Sequence, residues 1–539
     1  MTPSTKTITI THIVEDETPL PKLIAAWRWW LLPALIALVL ALVYTDPFIG
    51  DWDGLDYTVG AVNGSPSTMA LGRLLFIFAN HALWLVAHAL FHLRADQAYL
   101  LFKYGVVTQS PLAVIACWTL ARDLTRSTYT ATVAALLVAV SPVFVIYSGQ
   151  EMTDVPSVLL VTLALIIHLR GLTSRRMWMV LLGAALLGLA ANVRETAAFY
   201  APLLAIAPFF YGWKLRPREI AWTLLACLVF VFMAFAPFAV WYAMDLSGYR
   251  VAWHGWVASM RAEVALHPVE LRNLLKYVVF FLALSPLAVV AFPVAAWNEW
   301  RERGMSPLLL TALAGLFANF LLFFNYSTVI NWRYFLTGLP ALVPISADYF
   351  MRSQIKMLGN VRRAFWSVIA GIALITTLCG MFLRPISSEY IKKRIQTRDY
   401  RERLQLLPRD AIVMAGGQTI AVNYWQGIGA GEWHTIGTGS GWPGDKLVSE
   451  IEGYLNQGRR VFLDADAKWW SPCGWQKSET RAITTIEAYF RFRRVTETIF
   501  EIRPKTDTSA NDAPHLERLL PENRPAELKE CPALDKESN

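Results

Sequence analysis

Five polar stretches of this 539-residue chain carry the side chains that can do chemistry. DWDGLDY holds Asp51, Asp53, Asp56 and Tyr57, YSGQEMTDVP holds Glu151 and Asp154, and NVRET holds Arg194 and Glu195. A longer stretch, 245–276, holds Tyr249, Arg250, His254, Arg261, Glu263 and His267, and NYSTVINWRYF holds Asn331, Arg333 and Tyr334. All lie between apolar runs, where an ionisable group is expensive and marks a function by default. The carboxylates permit two chemistries. The spacing Asp51-Trp52-Asp53 suits a divalent cation with oxygen ligands, and a single carboxylate can act as general base on a hydroxyl. Asp56 can equally cap a helix, and Asp-Gly is a common turn dipeptide. Arg194 and Arg333 present planar forks that match phosphate oxygens. A carboxylate such as Glu151 is the alternative partner for them.

The elements that must position these residues are membrane helices. Apolar residues make up 55% of the chain and charged residues 17%, and the mean hydropathy is +0.38. That excludes an ordinary soluble enzyme, a disordered chain and a small disulfide scaffold. A helix crosses the hydrocarbon with roughly 20 mostly apolar residues. Runs at 27–44, 99–120, 129–147, 155–169, 178–192, 197–213, 220–242, 277–297, 308–324, 335–350 and 364–383 give about eleven expected crossings in a domain spanning 27–383. Arg122 and Arg126, then Arg170, Arg175 and Arg176, then Lys214, Arg216 and Arg218, then Arg301 and Arg303, then Arg352, Lys356, Arg362 and Arg363 fall in every second loop. By the positive-inside rule these loops are cytoplasmic, so the net charge of +8 is topological and gives no support to nucleic-acid binding. The segment 1–26 is then cytoplasmic and the first run a retained helix. To keep this parity, 69–93 is expected to lie in the outer interface or re-enter, with Arg73, His81, His88 and His92 on wetter faces. A crossing there is the alternative.

Beyond 383 the composition turns mixed. Strand patterns at 411–416, 433–439, 461–467 and 496–502 alternate with helix patterns at 419–426, 445–458 and 481–493. This predicts a small extracytoplasmic α/β domain over 384–505 with a largely parallel sheet. The tail 506–539 has eight acidic residues, four basic residues and four prolines, a disordered composition. Gly416-Gly417 lacks the rest of a phosphate-loop pattern and reads as a tight turn. Cys473 and Cys531 both fall on the outer side, and pairing between them is left open.

Three segments in order resemble the GT-C glycosyltransferases, in the branch of protein O-mannosyltransferases and aminoarabinose transferases. They are DGLDYTVGA (53–61), YSGQEMTDVPSVLLVTLAL (147–165) and RYFLTGLPALVPISA (333–347). The resemblance implies a mainly α, polytopic fold with a variable outer domain. It also implies transfer of a hexosyl or pentosyl unit, with inversion, from a polyprenyl-phosphate sugar to a hydroxyl of a protein, lipid or glycan. The setting is a bacterial plasma (inner) membrane, and the partners are donor, acceptor and bilayer. Asp53 falls on the family's catalytic Asp, with Asp51 beside it. Gly54 stands where the family has a second acidic residue, and Glu151 and Asp154 fill the acidic positions of the second segment. Arg333, Arg194 and Tyr334 are expected at the donor phosphate, with Glu151, Asp154, Asp56 and Tyr57 in support. A phosphate leaving group removes much of the need for a metal, so no cofactor is expected and a divalent metal ranks second. A transporter lined by Arg194, Glu195 and Arg333, or a lipid-linked polysaccharide polymerase or ligase, is the alternative function. No internal repeat of the transporter kind is present in the sequence.

Overall fold

The computed structural model describes residues 27–45, 52–66, 73–214, 216–245, 248, 250, 253–254, 257, 281–325, 332–414, 419–436, 444–466, 485–510 and 512. Its larger part is helical. The helices are α1 (Trp27–Val43), α2 (Trp52–Asn63), α3 (Leu74–Phe91), α4 (Ala98–Thr125), α5 (Thr128–Ala139), α6 (Pro142–Ser148), α7 (Asp154–Ser174) and α8 (Met177–Val193). Then come α9 (Ala201–Phe210), α10 (Pro217–Met244), α11 (Pro286–Arg303), α12 (Pro307–Asn325), α13 (Leu339–Leu358) and α14 (Val361–Leu404). Long apolar runs fold this way because a helix satisfies every backbone group inside its own segment.

Among the described residues, five helices are long and apolar enough to cross a membrane, or six if a bent pair counts as one. Eleven crossings were expected from the apolar runs, several of which form shorter or broken helices here. The run 129–147 shows why. Ser141 caps α6 by accepting from the Phe144 amide at 3.3 Å, and Pro142 removes a helical donor, so the run breaks by 63° between α5 and α6. Other runs form helices of 10–17 residues.

The helical core is centred on Val106, Trp118, Phe144, Tyr147, Phe335 and Val343, which are buried together. A second cluster joins α7, α8 and α10. There Asn192 donates to the Met233 and Ala234 carbonyls at 2.9 and 3.1 Å, so a buried amide pins α8 to α10.

Beyond α14 lies the α/β unit. It comprises β1 (Ile412–Met414), α15 (Thr419–Gly427), β2 (His434–Thr435), α16 (Gly444–Asn456), β3 (Val461–Asp464), β4 (Phe490–Arg494) and β5 (Ile499–Pro504). The sheet order is β2-β1-β3-β5-β4. β1 runs parallel to β2 and β3, whereas β5 is antiparallel to β3 and β4, so the sheet is mixed and not largely parallel. The helix expected over 481–493 gives way to β4 at Phe490. Phe490-Arg491-Phe492-Arg493 alternates with period two, and both Phe rings are buried. Cys473, Cys531 and most of the tail lie outside the described residues.

Arg403, in the last turn of α14, ties the helical part to the sheet. Its Nη2 lies 2.6 Å from Asp464 Oδ1, its Nε bonds the other oxygen, and the Tyr400 hydroxyl donates to Asp464 at 3.2 Å. Arg403→Met strands the buried Asp464 carboxylate and is expected to lower stability by about 3 kcal/mol. Denaturation of the detergent-solubilised protein measures this, and an unchanged midpoint would assign the pair no role.

Candidate active site

α2 has 12 residues, too few to cross a bilayer, and begins at Trp52. Asp53 thus sits in its first turn, where the positive end of the helix dipole favours a carboxylate. Three donors converge on one oxygen, Asp53 Oδ2. Arg333 Nη2 lies at 2.6 Å, Arg73 Nη1 at 3.0 Å and the Tyr57 hydroxyl at 3.3 Å. The Asp53 side chain is 14% exposed, and both guanidiniums are more deeply buried. Burial alone raises the carboxyl pKa, but Arg333 and Arg73 outweigh it and hold Asp53 well below the usual carboxylate range. Asp53 is therefore ionised at neutral pH.

A second layer supports the first. Arg73 Nε is 3.7 Å from Glu195 Oε1, and Glu195, 44% exposed, faces the solvent. Arg194 is fully buried and pairs with Asp154, the first residue of α7, at 2.7 Å. The expected alternative partner of Arg194 was Glu151, but Asp154 occupies that place. Tyr334 joins the two layers, with the Arg194 and Arg333 guanidiniums 4.9 and 5.4 Å from its ring centroid. Glu151 instead meets Lys103 of α4 at 3.6 Å, both buried. The Glu151 carboxylate lies directly against Gly54: a Cβ built there would stand 2.7 Å from Glu151 Oε1. A carboxylate thus fills the space beside position 54 although the residue itself has no side chain.

Asp56 and Tyr57 lie one turn along α2, with Asp56 half-buried and Tyr57 buried. Asp51, Asn331, Tyr249, Arg261, Glu263 and His267 lie outside the described residues. Arg250 donates to the Tyr242 and Ala243 carbonyls, and His254 lies against Tyr242. Among the described residues no three of His, Cys, Asp and Glu gather as a metal site.

Two members of this constellation escaped the sequence reading. Arg73 was expected on a wet face, but it is buried because Asp53 needs a cation. It sits at the N-terminal end of α3, one continuous helix within 69–93. By length and composition α3 can cross. However, Trp84, midway along it, packs with Ala61 of α2 and with Ala98 and Phe102 of α4. α4 begins near the Asp53 layer, since Lys103 meets Glu151 beside Gly54. α3 thus starts at the Asp53 layer, and its midpoint packs against α2 and the first turns of α4. Lys103, a lone lysine in the apolar part of α4, is the second omission.

Comparison with known proteins adds to this geometry. The model of the family described as dolichyl-phosphate-mannose-protein mannosyltransferase matches residues 79–241, from α3 to α10. Among solved structures, ArnT from Cupriavidus metallidurans bound to undecaprenyl phosphate superposes with a TM-score of 0.55 at 12% identity, covering 90% of this chain and 100% of that one. The chain is GT-C-like in sequence over residues 79–241 and in its fold. The archaeal oligosaccharyltransferase AglB from Archaeoglobus fulgidus, in complex with an inhibitory peptide and a dolichol-phosphate, matches at a TM-score of 0.49 and 12% identity. That match covers 94% of this chain and 78% of the other. No curated protein matches the chain in sequence. The matched GT-C segment includes Glu151, Asp154 and Arg194, whereas Asp53, Arg73 and Arg333 flank it. The site therefore closes where the chain's two flanks meet around the matched helices.

Two outcomes follow for the variants. A carboxylate whose pKa is depressed by folding contributes stability above its unfolded value and loses it only as pH falls through the lower folded value. The stability difference between wild type and Asp53→Asn should therefore stay constant from about pH 5 to 8 and shrink only below about pH 4. Denaturation midpoints across pH read this out, and a difference that fades near pH 6 would contradict it. Asp154→Ala leaves Arg194 charged and buried, and should cost about 3 kcal/mol or more on the same assay.

Proposed function

We propose that the chain is an integral membrane glycosyltransferase that moves a hexosyl or pentosyl unit from a polyprenyl-phosphate donor to an acceptor hydroxyl, with inversion. The acceptor is a hydroxyl of a protein, lipid or glycan at the extracytoplasmic face of a bacterial plasma membrane. The observation that carries this reading is the convergence of two buried guanidiniums, Arg73 and Arg333, on one oxygen of Asp53. That is an anion site and a proton acceptor in contact. The GT-C-like fold and the undecaprenyl phosphate bound by the solved ArnT support a lipid phosphate as the anion.

The chemistry balances with these residues. The acceptor oxygen attacks the anomeric carbon, the bond from that carbon to the phosphate oxygen breaks, and its electron pair leaves with the lipid phosphate. The acceptor proton passes to Asp53. A single displacement inverts the anomeric centre. The departing phosphate gains negative charge as the bond breaks, and Arg333 and Arg73 stabilise it where it develops. Donor binding also prepares the base. A phosphate that takes over the guanidinium forks draws from Asp53 the partners that suppress its proton affinity. Arg194 and Asp154 hold Tyr334, and through it Arg333, in place. No step is assigned to a metal.

Asp53→Asn keeps the shape and removes the proton acceptor. Turnover of radiolabelled polyprenyl-phosphate sugars should fall by about 10²–10⁴-fold. Affinity for polyprenyl phosphate should hold or tighten, because the internal competitor for the arginines has lost its charge. Arg333→Ala should instead weaken that affinity by at least about tenfold, the loss expected for a charge-assisted hydrogen bond. Near-normal turnover in Asp53→Asn would remove Asp53 from the chemistry. In the same reading Ser174 faces the cytoplasm and Gln457 the outside. Thiol labelling of single-cysteine variants in intact cells should reach position 457 and not 174, and the reverse pattern overturns the orientation.

A further inference from the structure

We infer that the α/β unit sets the aim of Asp53, and that Gly427 is a positioning residue for transfer. The inference rests on the reading of Asp53 as the base. α2 is gripped on two sides. Tyr57 and Ala61 pack toward α3 and α4. Leu55, Val59 and Asn63, four residues apart and so on one face, meet the α/β unit. Leu55 is buried in the same apolar cluster as Tyr400, Leu404, Ile412 and Trp425, and Val59 packs against that cluster. Asn63 Nδ2 donates to the Gly427 carbonyl at 2.9 Å. Gly427 ends α15, and its backbone lies directly on α2. A Cβ at 427 would stand 2.5 Å from Val59 Cγ1 and 3.0 Å from Cγ2. An ion pair of 3.9 Å between Asp96, in the turn ahead of α4, and Arg401 of α14, itself stacked on Trp425, ties the helical part to the α/β unit nearby.

Leu55 is thus part of the core of the α/β unit, and Asp53 is two residues away from it. Among the described residues, α2 is the element through which the unit reaches Asp53. A misplacement of about 1 Å in a catalytic group costs on the order of 10²-fold in rate. Whatever shifts the unit, an engaged acceptor included, therefore shifts the base against Arg73 and Arg333.

A double-mutant cycle tests this. Gly427→Ala places a methyl group against Val59 and pushes α2 away, whereas Val59→Ala clears the space that methyl needs. Gly427→Ala should lower kcat on the order of 10²-fold with polyprenyl-phosphate affinity retained. Adding Val59→Ala should recover most of that loss. Asn63→Ala, a milder change at the same contact, should lower kcat in the same direction by less, and serves if Gly427→Ala does not fold. A second readout needs no activity. The loss of stability caused by Asp53→Asn should be smaller in the Gly427→Ala background than in wild type, and should return with Val59→Ala. Gly427→Ala and Val59→Ala effects that merely multiply, or an Asp53→Asn loss equal in both backgrounds, would overturn the inference. A wild-type chain inactive with every polyprenyl-phosphate sugar would sink the transferase reading alone, and the stability cycle would still decide the positioning role.

Discussion

A carboxylate withdrawn from water must find a cation, and Asp53 finds two. Ionised groups in a weakly polar interior persist only as pairs or networks. That constraint pulls together segments that are far apart in the chain. Arg73 arrives ahead of α3, Arg333 ahead of α13, and Glu195 and Arg194 follow α8. Asp154 at the start of α7 then neutralises Arg194, and Tyr334 lies between the two arginines of different layers. Three cations and three carboxylates thus join five segments. The helices behind those segments take their relative heights from the network.

The network is also why the site has two kinds of carboxylate. Asp154 is sealed from solvent and answers to one guanidinium, a structural arrangement. Asp53 shares one oxygen among three donors and keeps some exposure, and Glu195 lies at the wet edge. A group that must exchange partners during a reaction has to sit where a second anion can arrive. Only the outer layer of the constellation meets that requirement.

Helices were legible in the sequence because long apolar runs leave the backbone no other solution. Where the runs break was less legible, since Ser141-Pro142 turns one apparent crossing into two pieces. Asp53, Arg333 and Asp154 could be singled out as charges at the ends of apolar runs. Arg73 had the same signature. It was assigned to solvent because nothing in sequence shows that Asp53, twenty residues earlier, needs a second cation. Lys103 carried its own signal as the single lysine of an apolar stretch. In the α/β unit, the Phe-Arg-Phe-Arg alternation at 490–493 was the mark of a strand and outweighed the helical spacing around it. The docking of Leu55 into the core of the α/β unit had no local signal, because the partner surface lies some 350 residues away in the chain.

Position 54 makes a point about descent. By the resemblance to the GT-C enzymes, position 54 is where an acidic neighbour of Asp53 is expected, and this chain has glycine there. In this structure a carboxylate nonetheless lies against position 54, contributed by Glu151 from a different loop, with Lys103 to balance it. A side chain at 54 and the Glu151 carboxylate compete for one volume. A lineage that regains a side chain at 54 must first move or shrink residue 151, and one that enlarges 151 must keep glycine at 54. Substitutions at these sites should therefore travel in pairs, with the charge handed across 97 positions of sequence while its place in the molecule stays fixed.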